Sequence, residues 1–314
     1  MKLVYLLIIL LSAMPFASTN DCQYTYDGID SGPSNWATFC SAPACDASSQ
    51  SPIDIDTAEA ILDTSLKPLE AKYGVRAIYE VENTGNTIQI NIDGQLVGTI
   101  IGEQGLAVEY IKLHSFSEHT LDGKKLSVEL QLVHTHTQSS NITTIISILF
   151  QVLSGASDDD FLDSLTRLLP TQDGDKATIA LDLQLMLGPS VSNKEYFHYN
   201  GSLTSPPCSE DISWFVMKDV RAITMTQFDS LRSASALNGN ARPIQPLNNR
   251  NVTKFIPEPT DAPTTAMPAS PTDSPTEAPT IPSPSTTTSP TSGSKRVLLC
   301  IASVLTLAAL SVLI

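Results

Sequence analysis

The chain has 314 residues, of which 41% are apolar and 16% charged, and it carries a formal net charge of −15 at pH 7. This is enough apolar sequence for one large domain with appended segments. The acidic balance argues against nucleic acid and against broad polyanionic glycan surfaces as partners.

Residues 3–11, LVYLLIILL, follow Lys2 and precede small residues at 17–19, which is the pattern of a secretory signal peptide over residues 1–19. The mature chain then begins near Asn20 in an oxidising compartment. Cys22, Cys40, Cys45 and Cys208 form an even set, and Cys300 lies apart in the apolar tail. Four cysteines allow three pairings.

Residues 109–136, EYIKLHSFSEHTLDGKKLSVELQLVHTH, read as two strands joined by a tight connection. In the first, Ile111 and Leu113 alternate with Tyr110, Lys112 and His114. In the second, Val128, Leu130 and Leu132 alternate with Glu129, Gln131, Val133 and Thr135. A polar face in so apolar a chain implies a cavity or water. His134 and His136 share the leucine face and point away from Gln131.

Residues 145–152, IISILFQV, predict a buried strand. Phe161, Leu162, Leu165, Leu168 and Leu169 then recur at helical spacing up to Pro170. Asp158, Asp159 and Asp160 suit the start of that helix and lack the alternating ligand spacing of a calcium loop. Asn141 and Asn251 begin N-glycosylation sequons, and Asn200 begins a third beside a Pro-Pro loop. Residues 254–296, rich in Pro, Thr, Ser and Ala, predict an extended, O-glycosylated stalk. Residues 297–314 form an apolar run, read as a GPI-attachment signal or a single transmembrane helix. The folded domain is therefore expected over residues 20–253.

Five ordered motifs give the domain a family likeness. SEHTLDGKKLSVELQLVH (117–134), QSPIDID (50–56), SLKPLEAKY (65–73), YNGSLTSPPCSEDISWFVMK (199–218) and ARPIQPLNNR (241–250) resemble those of the alpha-class carbonic anhydrases over about residues 22–253. The resemblance implies a mainly β (α+β) fold, a large twisted, mostly antiparallel sheet with short peripheral helices. It also implies disulfides joining Cys45 to Cys208 and Cys22 to Cys40.

The family holds zinc through three histidines, and the resemblance places Lys112, His114 and Gln131 at those positions. Only His114 is a zinc ligand by chemistry, so no metal or cofactor is expected unless the chain is a working enzyme, in which case zinc is. Asn86 occupies the proton-shuttle position, where it cannot titrate. Thr204 and Glu118 match the pair that orients zinc hydroxide, Glu129 the carboxylate behind the third histidine, and His119 and Tyr199 their structural neighbours. A Lys112 ammonium near Glu118 and Glu129 would replace part of the lost metal charge. These residues predict a cell-surface carbonic anhydrase-related protein, membrane-anchored through its C-terminus, acting as a binding or adhesion module for an unknown surface partner. The alternatives are an active extracellular zinc enzyme converting CO2 and water to bicarbonate and a proton, and a coat protein whose stalk carries its role.

Overall fold

The computed structural model describes residues 22–258, apart from 74–75, 93–97, 102–103, 137–141 and 188–192. The expected signal peptide, stalk and terminal apolar run lie outside the described residues, as does Asn141.

In chain order the elements are α1 (Trp36–Phe39), β1 (Asp54–Ile55), β2 (Ile61–Leu62), β3 (Leu69–Lys72), β4 (Ala77–Asn83), β5 (Ile88–Asn91), β6 (Gly98–Ile101) and β7 (Gln104–His114). There follow β8 (Thr120–Leu121), β9 (Lys124–Lys125), β10 (Val128–His136), β11 (Ile142–Val152), α2 (Asp160–Thr166), β12 (Lys176–Leu181) and α3 (Gln184–Leu187). The last are β13 (Tyr196–Gly201), β14 (Ile212–Met217), β15 (Arg221–Ile223), α4 (Met225–Arg232) and β16 (Thr253–Phe255).

Among the described residues, one sheet runs β12-β4-β5-β7-β10-β11-β14-β13-β16-β2, with β6 and β3 added beyond β7 and β15 added to β11. Its pairings are antiparallel except those of β11 with β14 and β15 and of β16 with β2. β1, β8 and β9 form a separate small sheet.

The period-2 alternation of β7 and β10 sends their side chains into two different cores. Ile111, Leu113, Val128, Leu130 and Leu132 pack with Ile88, Ile90 and the α2 residues Phe161, Leu162 and Leu165. Val133 packs on the other side with Ile145, Leu149, Tyr199 and Trp214. Each such side chain removed from water contributes about 1.5–3 kcal/mol. Both faces of the central strands are thus covered, and the polar residues between them lie in protein rather than in open water.

Two expectations are corrected. The connection between the central strands is not tight, because residues 115–127 carry β8 and β9. The helix ends at Thr166, short of Pro170, so Leu168 is 61% exposed while Leu169 only rests against the core. The apolar spacing ran past the point where the chain leaves the helix. Its start is as read: the Asp159 carboxylate accepts from the backbone N–H groups of Phe161 and Leu162 (both 3.1 Å), satisfying donors that no helical carbonyl reaches. The 145–152 run lies within β11.

Candidate functional site

Register brings the polar residues of the central strands into rows. Gln131 of β10 lies opposite Lys112 of β7, which lies opposite Gln89 of β5. One row along, Glu129 lies opposite His114. Residues 118 and 119 come from the connection that returns the chain to β10.

Glu129 is the centre of the buried network. Its Oε2 accepts the backbone N–H groups of Glu118 and His119, both at 2.8 Å. Its Oε1 accepts from His119 Nδ1 (2.8 Å), Ser147 Oγ (2.9 Å) and Gln131 Nε2 (3.0 Å). Burial pushes this carboxyl up, but the proximity and hydrogen bond of His119, helped by His114 and Gln131, outweigh it and hold the pKa at about 2. The same histidine fixes a longer chain of donors. With Nδ1–H given to Glu129, Nε2 accepts from the Tyr199 hydroxyl at 2.7 Å. Tyr199 in turn accepts from Ser51 Oγ at 2.8 Å, and Ser51 Oγ accepts the Ser202 N–H at 3.0 Å. Burial raises the Tyr199 phenol well above its ordinary value, keeping the donor proton in place.

Glu118 has different partners from those expected. Its Oε2 accepts from Gln131 Nε2 at 2.8 Å, and its Oε1 accepts the backbone N–H of Arg242 at 2.9 Å. Thr204 is buried in the loop after β13, and its hydroxyl makes no hydrogen bond to Glu118. Direct contact with both carboxylates is made by Gln131. Lys112 forms no ion pair among the described residues. Its ammonium rests over the Tyr110 ring at 5.2 Å, and burial lowers its pKa while the charge of Glu118 opposes that shift.

The Nδ1–H of His114 donates to the Asn240 carbonyl at 2.7 Å, and Nε2 lies 3.5 Å from Glu118 Oε2 without a hydrogen-bond partner. Asn86 sits in the β4–β5 turn, where its carbonyl accepts from Asn240 Nδ2 at 3.0 Å. His134 is bound elsewhere. Its Nδ1–H donates to Leu132 O (2.8 Å) and its Nε2 meets Thr99 Oγ1 (3.2 Å), and burial pushes its pKa down to about 4.

Sequence reasoning missed Asn240 and the role of Arg242. Asn240 also holds the Ser115 N–H through its Oδ1 and reaches Leu113 O through its Nδ2. Arg242 donates to Gln50 Oε1, Ser51 O and Cys45 O and stacks over Trp36 at 5.4 Å. Trp36 also packs edge to face on Tyr24 and Tyr26, and both phenols feel the charge of Glu118. The signal available was position, since Arg242 lies within one recurring motif and Asn240 just before it. The disulfides Cys22–Cys40 and Cys45–Cys208 pin this corner.

At the three zinc positions the donor chemistry is wrong for zinc. A lysine ammonium offers no lone pair, and both hydrogen bonds of the Gln131 amide nitrogen go to carboxylates. Among the described residues no group of three or more His, Cys, Asp or Glu is gathered to hold a metal. Lys112, His114 and Gln131 do not fit the tetrahedral zinc of a hydrating enzyme.

A large mixed sheet with few short helices, built around this carboxylate–histidine network, is the alpha-carbonic-anhydrase fold. The chain belongs to the eukaryotic-type carbonic anhydrase family, whose model matches residues 31–256. It is 29% identical over 265 residues to alpha carbonic anhydrase 5 of Arabidopsis thaliana, covering 81% of this chain and 94% of that protein. It is 31% identical over 263 residues to dioscorin DB3S of Dioscorea polystachya, covering 79% and 93%. An alpha-carbonic anhydrase of Thermovibrio ammonificans, solved with sulfanilamide, superposes with a TM-score of 0.67 at 30% identity, covering 74% of this chain and 99% of that one.

Proposed function

We propose that this family member is a zinc-independent binding module held at the cell surface. The observation that carries the reading is the Gln131 amide, which donates to Glu118 and Glu129 where the family's third zinc-binding imidazole belongs. An amide held between two carboxylates satisfies them without a cation. With Lys112 on the neighbouring strand and Asn86 at the shuttle position, the chain lacks both the donor set for zinc and the proton relay that fast CO2 hydration uses.

The surface placement is supported by two disulfides, which suit a secretory or extracellular compartment. In this reading a signal peptide (1–19) precedes the folded domain (20–253), a glycosylated stalk (254–296) follows it, and the apolar residues 297–314 direct a GPI anchor. Asn251 is exposed, as a glycosylated sequon requires. The partner is another surface component and not a nucleic acid, in keeping with the net charge of −15.

The retained Glu118, Glu129, His119 and Tyr199 favour the second reading, a working zinc enzyme. Elemental analysis of the purified chain, with CO2 hydration assayed on the same sample with and without added zinc, separates the two. No zinc and no turnover in a folded sample is the expected result. About one zinc per chain with sulfonamide-sensitive turnover would establish the enzyme.

A further inference from the structure

Two of the sequons meet in the folded chain. Asn200, on β13, is exposed, and its carbonyl accepts from Arg250 Nη1 at 3.2 Å, although Arg250 stands 50 residues further along. Asn251 is the next residue and is exposed as well. Neither side-chain amide has a hydrogen-bond partner among the described residues, so a substituent on either Nδ2 breaks no contact.

The rest of the Asn200 sequon is built into the fold. Ser202 is fully buried, where its Oγ accepts the Ser51 N–H at 2.9 Å and donates to Leu203 O at 2.8 Å. A transferase that recognises this hydroxyl reaches it only before Ser51 and Ser202 come together, from 151 residues apart in the chain. Modification of Asn200 therefore belongs to the nascent chain, and the folded domain then carries the sugar on its surface.

What such sugars would cover is the end of the large sheet. Ile61 N donates to Val252 O at 3.0 Å, which sets β2 beside the Asn251 sequon. Among the described residues no strand lies beyond β2 on that path. Its Ile61 and Leu62 are 54% and 53% exposed, and Ile256, just after β16, is exposed too. An apolar strand at an open edge invites pairing with another chain unless something covers it.

We propose that Asn200 carries an N-linked oligosaccharide which, together with one on Asn251, covers the β2 edge and keeps it from pairing with a second chain. The proposal rests on the secretory, surface placement above. The transfer joins Asn200 Nδ2 to the anomeric carbon of an oligosaccharide carried on a membrane lipid diphosphate. The carbon–oxygen bond to the diphosphate breaks, the lipid diphosphate leaves, and the amide gives up one proton.

The test is peptide mapping by mass spectrometry of the full-length chain from a eukaryotic secretory host. Glycosidase release in heavy-oxygen water marks each occupied asparagine as a labelled aspartate. Label at Asn200 as well as Asn251 is expected. The full-length Asn200→Gln, Asn251→Gln chain is expected to give more covalent dimers and larger species on chemical cross-linking than the wild type, with thermal melting showing that it is folded. Should that variant fail to fold, the wild type stripped of its sugars under native conditions takes its place. An unlabelled Asn200 beside a labelled Asn251, or a folded, sugar-free chain that cross-links as the wild type does, would overturn the proposal. The same peptide map reads the cysteines. Free thiols with both asparagines bare remove the underlying surface reading, whereas intact disulfides with a bare Asn200 remove only the glycan assignment.

Discussion

The side-chain amide of Gln131 donates to Glu118 Oε2 at 2.8 Å, and the same nitrogen lies 3.0 Å from Glu129 Oε1. One neutral donor group thus joins two buried carboxylates. Removing one hydrogen-bond donor from a buried polar group costs about 1–3 kcal/mol. Gln131→Leu is therefore expected to destabilise the domain by about that amount in urea unfolding. Lys112→Ala, which removes no ion pair, is expected to cost less than about 1 kcal/mol. Comparable losses in the two variants would show that the lysine shares the bridging role.

Restoring the donor set should restore the metal. Lys112→His combined with Gln131→His places two further imidazoles on facing positions of β7 and β10 beside His114. The double variant is expected to retain about one zinc per chain by elemental analysis, and each single variant markedly less. A folded double variant that carries no zinc would mean that the backbone, and not only the ligand identities, has left the metal-binding geometry.

Stability should fall in two overlapping stages as pH is lowered. His134 is held neutral by burial, with its pKa near 4 against 6.5 in the unfolded chain. Its contribution is complete above pH 6.5 and is lost as the pH falls to 4, because only the unfolded state takes up the proton. This amounts to about 3 kcal/mol. Glu129 has its pKa near 2 against 4.5. Its contribution is complete above pH 4.5 and is lost as the pH falls towards 2, again by about 3 kcal/mol. His134→Leu should flatten the first stage of a urea-midpoint-versus-pH curve and leave the second, and an unchanged first stage would remove His134 as its source.

The two disulfides should differ in value. Cys45–Cys208 spans 163 residues and Cys22–Cys40 only 18. The entropy of loop closure gives roughly 5 kcal/mol for the longer bridge and roughly 3 kcal/mol for the shorter. Paired Cys→Ser variants compared by denaturant midpoint should keep that order. The reverse order would show that local packing around Trp36 outweighs loop length.

The residues that alternate along a strand were legible because side-chain direction has a period of two and depends on nothing beyond the strand itself. That is why the sequence alone set Lys112, His114 and Gln131 on one face and the leucines and His134 on the other, and why Asp159 could be read as a helix cap. The end of α2 was not legible, since Leu168 and Leu169 continue an apolar spacing that the backbone no longer follows. Hydrogen-bond partners were decided by the tertiary structure. The donor to Glu118 from Arg242 and the acceptor for His114 from Asn240 come from 124 and 126 residues away in the chain. No local pattern encodes where a chain returns after that distance. Glu118 consequently pairs with Gln131 and Arg242 rather than Thr204, and His114 keeps one nitrogen open, because burial requires each polar group to take the nearest partner that the returning chain supplies.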